Sequence, residues 1–120
     1  MKKVALLLML ISFSIFGQKA IFNKINSEGN FTEYETKEGV VLKIGDTLKI
    51  GYPRNTNFTF ITQGGVPATA FLSNTKVVVT KLKSVGNKTR GFKMYALFKG
   101  YGLVPVYIDY DSAFETGEIK

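Results

Sequence analysis

From residue 31 onward a turn signal interrupts the chain every few residues, which leaves room for little besides short β-strands. Lys37-Glu38-Gly39, Gly45-Asp46, Tyr52-Pro53-Arg54-Asn55, Gly64-Gly65 with Pro67, and Gly86 to Gly91 are such clusters. Glycine, proline, asparagine and aspartate each supply the backbone angles or local hydrogen bonds that reverse a chain. Between the clusters lie runs rich in β-branched and aromatic residues. Phe31 to Thr36, Val40 to Ile44, Thr47 to Ile50, Phe58 to Thr62, Lys76 to Val85, Phe92 to Phe98 and Leu103 to Tyr110 read as strands. Lys76 to Val85 and Phe92 to Phe98, joined by the glycine- and asparagine-bearing tip, predict a long hairpin. Ala68 to Leu72 fits a short strand or a loop. Ser112-x-x-Glu115 has the form of a capping box, and Gly117 ends the one or two helical turns it would start. Strands do not alternate with long helices, so a nucleotide-binding α/β sheet is excluded. The expected fold is all-β: a small SH3-like or partly open barrel of about six short strands with a short C-terminal helical turn. It occupies residues 31–120, after an irregular lead-in over 18–30.

The first residues carry a different signal. Met1-Lys2-Lys3 is basic, and Val4 to Phe16 is an apolar run. A spanning helix needs about 20 apolar residues; this run is shorter and has the length of a signal-peptide core. Ser12-Phe13-Ser14 fits one cleavage pattern, while Gly17 before Gln18 sets the working boundary of a 1–17 signal peptide. A buried or uncleaved N-terminal helix is the other reading. The expected location is exported, periplasmic or secreted, with no transmembrane segment in the mature chain. That location argues against nucleic acid as the natural partner and leaves acidic envelope polymers or another envelope protein.

Composition narrows the chemistry. The 120 residues include no histidine, cysteine or tryptophan. Disulfides, thiolate nucleophiles, sulfur-based zinc sites and lipoprotein anchoring are excluded, as is the commonest general base. No cofactor or metal site is expected. Asp109 and Asp111 lie two apart, but hydrolysis needs two carboxyls facing across a cleft and calcium needs six or more oxygens. Asp111 suits a helix start, and Glu33 with Glu35 a solvated strand face. A non-catalytic module is expected, a carboxylate-based hydrolase being the remaining enzymatic reading.

Charge is distributed unevenly. The formal net charge is +7, and no acidic residue occurs between Asp46 and Asp109. Residues 76–99 hold Lys76, Lys81, Lys83, Lys88, Arg90, Lys93 and Lys99 and no acid. On a strand Lys81 and Lys83 share one face, and Lys93, Tyr95, Leu97 and Lys99 share one on its partner. Lys81, Lys83, Lys88, Arg90 and Lys93, with Tyr95 and Tyr101 to stack, make a candidate site for an acidic glycan or other polyanion. The same lysines also suit a solvated hairpin whose charges keep its edge from pairing. An exposed hairpin edge could instead add a partner strand.

Two resemblances accompany these readings. Gly39-Val40-Val41-Leu42-x-Ile44-Gly45-Asp46-Thr47-Leu48-x-Ile50-Gly51 and Tyr107-Ile108-Asp109-x4-Phe114-x2-Gly117-Glu118-Ile119 are similar to stretches of uncharacterised small exported proteins of Bacteroidetes, as is Phe16-Gly17-Gln18. The turn and strand Gly45-Asp46-Thr47-Leu48 resembles bacterial SH3-like barrels, which implies cell-wall peptides or glycans as ligands. Asp46-Thr47-Leu48 and Asp111-Ser112-Ala113 resemble the acceptor of O-glycosylated exported bacteroidete proteins; a turn and a helix cap account for them equally.

Overall fold

The computed structural model describes residues 18–120, so the expected signal peptide lies outside the described residues. The fold is all-β with one short C-terminal helix, a small barrel-like arrangement of three sheets around one core. In chain order the strands are β1 (Lys19–Ile21), β2 (Gly29–Phe31), β3 (Glu33–Glu35), β4 (Val41–Lys43), β5 (Thr47–Lys49) and β6 (Asn57–Gln63). Then come β7 (Val66–Thr69), β8 (Lys76–Val78), β9 (Lys81–Asn87), β10 (Gly91–Phe98), β11 (Val106–Asp109) and the helix α1 (Tyr110–Glu115). A single 3-10 turn, Ala70–Leu72, follows β7. The largest sheet has the order β2-β9-β10-β11-β6-β7; β1-β3-β4 and β5-β8 form the other two.

The strands are shorter and more numerous than the sequence runs because the chain changes sheet inside two of them. Phe31 to Thr36 breaks at Thr32, whose backbone N–H and hydroxyl both donate to the Gln18 carbonyl, at 2.9 and 3.0 Å. Before the break β2 pairs with β9; after it β3 pairs with β1 and β4. Lys76 to Val85 breaks at Val79-Thr80. The Val79 amide donates to Asp46 and the Gly45 amide to Val79, while the next amide, Thr80, donates to Leu97 on β10. Inward positions are odd-numbered through Val77 and Val79 and even-numbered from Leu82 and Ser84. That slip of one residue is how the strand turns the corner between sheets, because side chains alternate with period two.

The lead-in is not irregular throughout. Lys19–Ile21 runs parallel to β3 and places Ala20 in the core. The C-terminal helix also begins earlier than expected: Asp109 is its N-cap without a side-chain cap bond, and Ser112 lies inside the first turn. No capping box forms, because the chain is already helical from Tyr110, which puts Ser112 inside the helix and not at its cap. Gly117 ends the helix at φ +79°, its amide donating to the Phe114 carbonyl. Gly86 is needed for another reason: a Cβ there would lie 2.1 Å from the Gly91 carbonyl oxygen across the hairpin.

Tyr34, Phe58, Ile61, Leu82, Met94, Phe98, Val106 and Ile108 form the centre of the core. Each such side chain contributes about 1.5–3 kcal/mol on leaving water. Glu118, 0% exposed, is a charged residue buried beside this core: one carboxylate oxygen accepts the Phe60 amide at 2.7 Å, the other the Thr59 amide at 2.8 Å and the Arg54 amide at 3.4 Å. With the Ile50–Ile119 bridge, this ties the C-terminus to β6 and to the end of β5.

Candidate functional site

The six-stranded sheet has one face in the core and one toward solvent. Leu82, Ser84, Met94, Ala96, Phe98, Ile108 and Ile61 point inward. Register therefore assigns the outward side chains. Across the sheet, Asn30, Lys83, Tyr95 and Asp109 form one row, and Lys81, Leu97, Tyr107, Thr62 and Pro67 the next. Val85 opposite Lys93 forms a third, toward the hairpin tip.

Of the residues singled out from sequence, Lys81, Lys83, Lys93 and Tyr95 come together on this face. Lys88 and Arg90 stand exposed in the three-residue tip, where the Asn87 side chain accepts the Arg90 amide at 2.8 Å and shapes the turn. Among the described residues, Lys81, Lys83, Lys88 and Arg90 have no carboxylate within ion-pair distance. Lys93 is different: its ammonium donates to Asp109 at 2.9 Å, and that hydrogen bond is the main cause of its raised pKa. Asp109 is thereby paired with a cation on the same sheet face.

Tyr101 is not part of this constellation. It follows β10 in a turn and packs edge-on against Phe98, with ring centroids 5.6 Å apart. Its carbonyl accepts the Gln63 side-chain amide, and its ring lines a separate cleft beside β7 with Phe71 and Leu72. Two glycines flanking Tyr101, both at positive φ, fold it back onto the core instead of extending the strand. The second ring on the lysine-bearing face is Tyr107, 6.0 Å from Tyr95 in an edge-to-face arrangement. Period-two alternation back from Asp109 would have identified it, since Tyr107 and Asp109 share a face.

Beside the two tyrosines lies an open groove of about 450 Å³ lined by Thr62, Gly64, Gly65, Val85, Tyr95, Val104 and Tyr107. Tyr95 is half-buried, and burial, followed by the Asp109 charge, pushes its hydroxyl pKa up while Lys93 opposes the rise. The phenol is thus neutral, able to donate and accept.

The hairpin edge is not free along its whole length. β2 covers β9 at Leu82–Ser84, so a strand-adding partner would meet β2 or β7 at the two sheet borders. Asp111 is occupied structurally, accepting the Tyr34 hydroxyl and the Lys37 amide. Among the described residues no group of three or more potential ligands is placed to hold a metal ion, and no helix is long and apolar enough to cross a membrane. No family model matches the sequence, and no curated protein or solved structure gives a significant match.

Proposed function

We propose that this chain is an exported, non-catalytic envelope module that binds a polyanion on the outer face of its six-stranded sheet. The observation that carries the reading is the set of unpaired cations. Lys81 and Lys83 stand on one strand face, and Lys88 and Arg90 extend the charge to the hairpin tip; among the described residues none of them has a carboxylate within ion-pair distance, the nearby Glu28 carboxylate being engaged by the Gly86 amide. β9 alone spans about 20 Å at about 3.3 Å per residue, so the cations suit an extended polymer better than a single small anion. The sheet fixes the backbone beneath Lys81 and Lys83, which leaves only their side chains to be ordered on binding. In an exported setting the matching polymers are acidic glycans and cell-wall polyanions.

Chemical-shift mapping of the ¹⁵N-labelled protein against an acidic polymer, at low and moderate salt, tests the reading. Shifts concentrated on residues 81–95 that fade with salt, and that disappear in Lys83→Glu with Arg90→Glu, are expected. Absence of shifts on this face with acidic glycan and polyphosphate alike would return these lysines to a purely solubilising role.

A further inference from the structure

We infer that the groove between Tyr95, Tyr107, Val85 and Val104 is a sugar subsite, so that the bound polyanion is a carboxylated polysaccharide whose ring packs on the tyrosines while its carboxylates meet Lys83 and Lys81. The inference rests on the polyanion reading and narrows it to one chemistry.

Three features point to a ring rather than to bare anionic groups. First, the groove offers apolar surface where phosphate or sulfate would have no use for it. Exposed Val85 and Val104 line it together with the partly exposed rings of Tyr95 and Tyr107. A pyranose has one face of C–H groups, and laying that face on an aromatic ring removes apolar area from water on both partners. Second, polar groups stand beside the apolar ones in a mixture suited to a hydroxylated ring. Thr62 lies directly opposite Tyr107, and the hydroxyl-bearing rings of Tyr95 and Tyr107 line the groove with it. The Gly64-Gly65 turn brings bare backbone to the rim, with open space where a side chain would stand. Third, the cations lie to one side of the rings, not among them. Lys83 is the direct cross-strand neighbour of Tyr95, and Lys81 stands one row along beside Leu97. Leu97, between Lys81 and Tyr107 in that row, is 4% exposed and covered by its neighbours, so the two side chains flank it rather than a gap. A volume of about 450 Å³ falls within the range of small-ligand sites, about 300–1,000 Å³. The groove is open at the surface, as binding along a polymer requires.

The test compares polygalacturonate, a carboxylated polysaccharide, with polyphosphate, a polyanion that carries no sugar, on the same protein. Titration calorimetry is expected to show both polymers binding at low salt. Tyr107→Ala and Tyr95→Ala should weaken polygalacturonate about tenfold while leaving polyphosphate unchanged. In the unsubstituted protein, intermolecular NOEs should connect the ring protons of Tyr95 and Tyr107 to sugar C–H protons, a readout independent of how well the variants fold. Binding of both polymers without those NOEs, or with equal losses for both in the tyrosine variants, would overturn the sugar subsite and leave the polyanion reading standing. Binding of neither polymer would overturn both.

Discussion

Glu118 shows how much one side chain can hold in place. Its carboxylate is fully buried and takes three backbone amides from the loop before β6 and from β6 itself. Both oxygens are in use, so the residue cannot be replaced by its own amide without loss. Glu118→Gln would keep the shape but turn one acceptor into a donor aimed at an amide N–H. A cost of about 2 kcal/mol or more is expected, since a buried donor left without an acceptor forfeits its hydration. Urea unfolding of Glu118→Gln should show the midpoint falling with an unchanged slope. No comparable loss is expected from Lys83→Gln, whose side chain lies on the outer face without an ion-pair partner among the described residues.

At the scale of elements, the six-residue helix α1 is too short to persist alone, because nucleation costs more than so few hydrogen bonds return. Tertiary contacts hold it. Ala113 and Tyr110 are buried, Tyr110 meets Tyr34 edge-on at 6.3 Å, and Phe114 stacks on Tyr110. Polar ties add to these: the Tyr34 hydroxyl donates to Asp111, Lys37 reaches Glu115, and Lys93 reaches Asp109 at the helix start. These ties set a pH dependence. The Tyr34 pKa is raised above its ordinary 10.0, first by burial and then by its bond to Asp111. The folded state therefore keeps a proton that the unfolded chain releases above about pH 10. Lys93 has a pKa raised above 10.5 by Asp109, so its contribution is present below that value and lost as pH climbs through the folded pKa. Both signs agree: stability is level through neutral pH and declines above about pH 10. Thermal unfolding followed from pH 7 to 11 should show this decline, with a shallower slope in Tyr34→Phe at the cost of a lower Tm at neutral pH.

For the whole molecule, the balance of charge is the governing feature. The +7 net charge is concentrated in the stretch 76–99, where Lys93 is the only residue with an ion-pair partner among the described residues. Like charges repel across the outer sheet face, and the compact state carries that repulsion more than the unfolded chain does. Adding salt to about 0.15 M, where screening acts over about 8 Å, should therefore raise Tm by a few degrees. Scanning calorimetry across a salt series checks this, and Lys81→Gln with Lys83→Gln should flatten the dependence. The same salt should weaken polymer binding, so stability and affinity would move in opposite directions.

The strand content, the hairpin and the cation-rich stretch were legible in the sequence, because alternation, turn residues and charge are local properties. Lys81 and Lys83 share the outer face that period two assigns them. What local pattern could not supply is where the chain leaves one sheet for another. Val77-Val78-Val79 is apolar at every position, so nothing in it marks the phase slip that puts Val79 and Leu82 on the same core. The partner of each ring was equally hidden. Tyr101 looks like an extension of the β10 stripe, yet its flanking glycines turn it onto Phe98, and Tyr107 arrives beside Tyr95 through β11 pairing. The buried role of Glu118, a charged residue near the end of the sequence, depends on amides some sixty positions away. Residue type and spacing determine which segments can be strands and where charge gathers. Only long-range packing decides which strands become neighbours, and hence which side chains meet.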